Sequence, residues 1–206
     1  MNTDVRSAEE DLAFLRALVE RGDGVAPGWA QGYLAGGLIY GAQMLMHAGQ
    51  FFGLLPGEGP AALAIGLGPT LLFIPVLVWI TWRHRTDRPP AATGRAVAAV
   101  FGAVGAANIA LVIVIGWAAW REHSFATWLI YPACVFILQG AAWMVAWVMR
   151  RRAWLGLVGA GWFAFAIAMG LTTEQIGLYL LFCGLGIWGC MALPGWLMTR
   201  AAGKAA

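Results

Sequence analysis

Six mainly apolar runs, each of about 20 residues or more, constrain this chain more than any other feature of its sequence. They are Trp29–Leu55, Pro60–Trp82, Gly94–Trp120, Phe125–Met149, Ala153–Leu171 and Ile176–Thr199. A helix rising 1.5 Å per residue needs about 20 such residues to cross the hydrocarbon of a bilayer. Backbone groups find no water there, so each run is expected to be helical over most of its length. Composition agrees: 61% of the 206 residues are hydrophobic and 11% charged, against about 45–50% and about 25% in ordinary soluble domains. The expected fold class is therefore an all-α integral membrane protein.

The basic residues predict how the chain is threaded. Of the 13 Lys and Arg residues, Arg6, Arg16, Arg21, Arg83, Arg85, Arg88, Arg95, Arg150, Arg151, Arg152, Arg200 and Lys204 fall on one side of the six runs, and Arg121 alone on the other. Positive charge accumulates on the cytoplasmic side. This predicts cytoplasmic N- and C-termini in the cell inner membrane, with short periplasmic turns around Glu58, Glu122 and Glu174. The runs then form three consecutive hairpins without a detectable internal repeat. The division is residues 1–28 as a cytoplasmic segment, 29–199 as one six-helix membrane domain, and 200–206 as a cytoplasmic tail.

The net charge of +3 and pI near 9.0 do not imply nucleic acid, because the basic residues lie between apolar runs and not on a soluble face. Charges spread through the first 28 residues leave no apolar core for a cleavable signal peptide, so the N-terminus is expected to remain. Within this segment Ser7 and Glu10 stand at capping-box spacing, Leu12, Leu15 and Val19 share a helical face, and Gly22 marks a stop. The pattern predicts a short amphipathic cytoplasmic helix, whose acidic excess favours docking on linker arginines, a second protomer or a cytoplasmic protein partner over lying on anionic lipid.

Small residues at four-residue spacing predict where helices approach closely. They are Gly32/Gly36 and Gly37/Gly41 in the first run, Ala98, Gly102, Ala106 and Ala110 in the third, and Gly156, Ala160, Ala164 and Ala168 in the fifth. These faces predict contact within the protomer or a homo-oligomer. Pro69 and Pro75 in the second run predict a kink or local unwinding. Ten of the 12 tryptophans, among them Trp143, map near the ends of runs and are expected to anchor at the lipid interface. Cys134, Cys183 and Cys190 are expected to be apolar filling.

Candidate chemistry rests on polar residues inside the runs, which are costly there. Tyr40, Gln43, His47 and Gln50 follow i, i+3, i+7 and i+10 and so share one helical face. Gln43, Asn108 and Gln139 are each near the middle of their runs, and an imidazole such as that of His47 suits proton transfer or sensing. Two readings stand. In the leading one, Tyr40, Gln43, His47, Gln50, Asn108 and Gln139 line a polar cavity that binds or passes a small neutral or amphipathic solute. In the other, the chain is an oligomeric interaction or regulatory subunit whose polar residues only hold helices together. No enzymatic activity, cofactor or metal is expected, since His47 lacks a second histidine at its depth and no nucleophile-base set or catalytic motif stands in context.

Overall fold

The computed structural model describes residues 27–86 and 92–204. The predicted N-terminal amphipathic helix lies outside them. The described residues are all-helical: α1 (Pro27–Phe51), α2 (Gly59–Arg83), α3 (Ala92–Glu122), α4 (Phe125–Arg150), α5 (Ala153–Leu171), α6 (Ile176–Ile187), a π-turn (Trp188–Ala192) and α7 (Leu193–Lys204). The last three form one continuous rod. Five helices are long and apolar enough to cross a membrane: α2, α3, α4, α5 and the composite rod over Ile176–Gly203.

α1 has the length, 25 residues, but not the mean hydropathy. Its position accounts for that. It packs against α2, α6, the π-turn and α7, so it meets protein on much of its circumference. α2 packs chiefly on α1, and α3 chiefly on α4. Both outer helices turn long apolar faces outward, with Leu63, Leu67 and Leu71 on α2 and Ile109, Ile113 and Trp117 on α3 each more than 60% exposed. Such faces need lipid or protein against them.

The links are short where neighbours are antiparallel. Between α3 and α4 the chain turns at His123, which adopts φ 51°, and Ser124 caps α4 by accepting from the Thr127 N–H at 3.2 Å. Between α4 and α5 Arg151 takes the left-handed conformation, and its N–H reaches the Trp147 carbonyl at 2.7 Å.

The core is aromatic at the arginine-rich end. Trp143, expected at the lipid interface, is 1% exposed. It sits against Tyr33, Trp29, Phe101 and Trp154 with ring centroids 5.5–6.2 Å apart, because its N–H finds a buried partner in the Tyr33 hydroxyl at 2.7 Å. Trp79, Trp82 and Trp196 face outward instead, with the Arg83, Arg85 and Arg200 guanidinium groups 4.0–5.3 Å from their ring centres.

Close helix approach follows the glycines of α1, agrees in part with expectation on α5 and departs from it on α3. A methyl group at Gly37 would overlap the Ala192 backbone, and one at Gly41 the Trp188 indole. By contrast Ala98, Gly102, Ala106 and Ala110 of α3 are all exposed, and a methyl at Gly102 would meet nothing within 4 Å. On α5 the expected Gly156 does meet α4, a Cβ there lying 2.8 Å from the Trp147 ring, and Gly159 adds a second approach with a Cβ 3.2 Å from the Gly140 carbonyl, while Ala160 and Ala164 face outward. Small apolar side chains carry no penalty against lipid tails, so a stripe of them does not by itself choose the contact face.

Gly37→Ala is expected to destabilise the protein by about 1–3 kcal/mol through overpacking, and Gly102→Ala to leave stability within about 0.5 kcal/mol. Equilibrium unfolding in detergent checks both; equal effects would count against the contact between α1 and the π-turn.

Candidate functional site

The polar face of α1 divides along its length into two parts. The first part joins helices. Pro69 has no N–H to give to the Ile65 carbonyl one turn back. The Gln43 amide supplies the missing donor: its Nε2 donates to the Ile65 carbonyl at 3.2 Å and the Gly66 carbonyl at 2.9 Å. Gln43 is 8% exposed. Of the expected kink or local unwinding, the unwinding does not occur, since α2 stays helical from Gly59 to Arg83 through both prolines.

The same device recurs once, at Pro194. Pro194 cannot donate to the Cys190 carbonyl, and the Tyr33 hydroxyl does so at 3.4 Å while accepting from the Trp143 N–H. Here the helix also widens into a π-turn, with the Leu193 N–H bonded to the Trp188 carbonyl. Pro132 in α4 is different: the carbonyl it leaves without a donor is that of Trp128, whereas the Tyr179 hydroxyl donates to the next one, Leu129, and so ties α6 to α4 without replacing the proline's missing N–H. Tyr33 extends the face read from the sequence, lying seven residues before Tyr40, and that periodicity was the signal by which it could be found.

The second part borders a cavity of about 690 Å³ at the arginine-poor end of the bundle, between α1, α4 and α6. α1 contributes Met44, His47, Gln50 and Phe51; α4 contributes Phe125, Trp128, Leu129, Tyr131 and Pro132; α6 contributes Ile176, Tyr179 and Leu180. The volume is within the range of small-molecule sites, about 300–1,000 Å³. Phe51 and Phe125 at the rim are 55% and 57% exposed. Trp128 and Tyr131 stack with centroids 5.2 Å apart. No Asp, Glu, Lys or Arg is among the lining residues. Inside, His47 Nδ1 lies 2.8 Å from Gln50 Oε1, and Gln50 Nε2 donates to the Pro56 carbonyl at 2.8 Å.

Of the six residues selected from the sequence, His47 and Gln50 line this cavity together. Gln43 joins α1 to α2, and Tyr40 packs edge-on against Phe73, their centroids 5.2 Å apart. Asn108 and Gln139 belong to a different pair of helices: each lies fourteen residues from its end of the α3–α4 turn, so the antiparallel pair sets them level with one another. The Asn108 Oδ1 and Gln139 Oε1 atoms are buried and accept no hydrogen bond. Neither residue lines the cavity. The aromatic and apolar lining from α4 and α6 was read from the sequence only as span residues. Cys183 and Cys190 are buried free thiols and Cys134 is half-buried. Among the described residues no group of three His, Cys, Asp or Glu side chains is gathered to hold a metal ion.

In comparisons with known proteins, the chain matches no family model, no curated protein and no solved structure.

Replacing Gln43 by Met removes the donor from the proline-freed carbonyl and is expected to cost about 0.6–1.7 kcal/mol. Pro69→Ala restores a backbone N–H, so in that background the cost of Gln43→Met should fall. A double-mutant cycle in unfolding free energy measures this coupling; strict additivity would contradict the pairing.

Proposed function

We propose that this chain is a non-enzymatic, six-span inner-membrane protein that binds a small neutral apolar or amphipathic molecule in the cavity between α1, α4 and α6. The observation that carries this reading is the cavity itself: about 690 Å³, walled by aromatic and aliphatic side chains, with His47 and Gln50 as convergent polar groups on one wall. A charged ligand would lose hydration without a counter-charge among the lining residues. Neutral ligands lose far less.

α1 counts as the sixth span because a helix wrapped by other helices can carry glutamines and glycines that a lipid-facing helix could not. The arginine asymmetry supports cytoplasmic termini, which puts the cavity at the periplasmic face. The Trp29, Tyr33, Phe101 and Trp143 cluster fills the bundle at the arginine-rich end, which supports binding in preference to passage. A periplasm-dependent reporter fused after Ala206 is expected to be silent and one inserted at Glu122 active; the reverse pattern would overturn the orientation.

The alternative of an oligomeric subunit draws on the open α3 face, where Gly102 and Gly105 meet nothing within 4 Å. It concerns a different surface and is compatible with a ligand in the cavity.

Leu180→Trp is expected to fill the cavity. Organic extracts of the protein purified in mild detergent should contain a small molecule that mass spectrometry finds at about stoichiometric amount, and the variant should lose it while remaining helical and monodisperse. An identical extract from both proteins would count against the cavity as the binding site.

A further inference from the structure

The hydrogen bonds around His47 fix which of its ring nitrogens carries the proton. A carbonyl oxygen can only accept, so the Gln50 group 2.8 Å from the Pro56 carbonyl must be the NH₂. The orientation of a glutamine amide is ordinarily assigned from its surroundings, and here Pro56 assigns it. The other end, Oε1, therefore faces His47. Oε1 also only accepts, so Nδ1, 2.8 Å away, must carry hydrogen. A neutral imidazole has one N–H. Its Nε2 is then a bare lone pair, and no donor among the described residues bonds it.

We propose, resting on the cavity reading above, that the cavity selects neutral molecules bearing a hydroxyl on an aromatic or apolar body, with the ligand O–H donating to Nε2 of His47. An ether, ketone or carboxylate would set its own lone pairs against Nε2 and leave both unpaired. An ammonium group would find no carboxylate among the lining residues. The stacked Trp128 and Tyr131 rings offer a flat wall to an aromatic body. A phenol combines both features.

The test compares 4-pentylphenol with 4-pentylanisole, which differ by methylation of the hydroxyl. Binding is measured by calorimetry to the full chain in lipid nanodiscs at about pH 8, above the range in which an ordinary imidazole takes up a proton, with empty nanodiscs correcting for partition into lipid. The phenol is expected to bind about two- to twelvefold more tightly, the range of one hydrogen bond. His47→Leu should make the two ligands equal, and Leu180→Trp should abolish both. Should His47→Leu fail to fold, Gln50→Met removes only the group that fixes the tautomer and should narrow the difference. Equal binding of both ligands to the wild type, still lost in Leu180→Trp, would overturn the hydroxyl selectivity and leave the cavity standing. Binding of neither ligand would overturn both.

Discussion

In a bilayer, a backbone carbonyl without a donor has no water to turn to, and at Pro69 and Pro194 this protein opens such carbonyls. In both places α1 supplies the donor that closes them. Gln43 reaches from α1 to α2 at Pro69 and Tyr33 from α1 to the π-turn before Pro194, while Tyr179 ties α6 to α4 at the Leu129 carbonyl. Each bond adds a specific link between helices that associate largely through dispersion contacts. Proline here costs a bond within one helix and thereby specifies which neighbour must lie beside it.

This accounts for the uneven character of α1. Its glycines let it approach the π-turn and α7 at backbone distance, with Gly37 against Ala192 and a Cβ at Gly195 only 2.6 Å from the Leu34 nitrogen. Its polar residues Gln43 and Tyr33 supply the donors at Pro69 and Pro194. A helix so used cannot also be the most apolar, and it alone of the six rods falls below the hydropathy of a membrane span. Past Gln43 the partner changes. His47 and Gln50 bond to each other and to the Pro56 carbonyl in the loop after α1, and the space beside them is left to the cavity.

The helices were legible from the sequence because apolar length and periodicity are local properties, and the polar face of α1 because a three-to-four-residue spacing survives in any helix. Which face meets which helix was less so. The stripe of Ala98, Gly102, Ala106 and Ala110 is as regular as the glycines of α1, yet it lies open, because α3 meets its neighbour α4 through other residues. Trp143 sits near a helix end like the anchoring tryptophans, and only the three-dimensional approach of Tyr33 makes it core. Gln43 and His47 are one turn apart with similar chemistry. What separates their roles is Pro69, far along the chain, and a cavity whose other walls come from α4 and α6.

The central claim is that one polar face serves two purposes, sealing the bundle at Tyr33 and Gln43 and opening it at His47. Thiol accessibility tests this directly. With Cys134 replaced by Ala and the buried Cys183 and Cys190 kept as the background, cysteines introduced one at a time at positions 33, 43 and 47 are treated with a membrane-impermeant thiol reagent applied from the side of the arginine-poor end. Rapid modification is expected for His47→Cys, and none for Tyr33→Cys or Gln43→Cys. Equal labelling at 43 and 47, or none at 47, would contradict it.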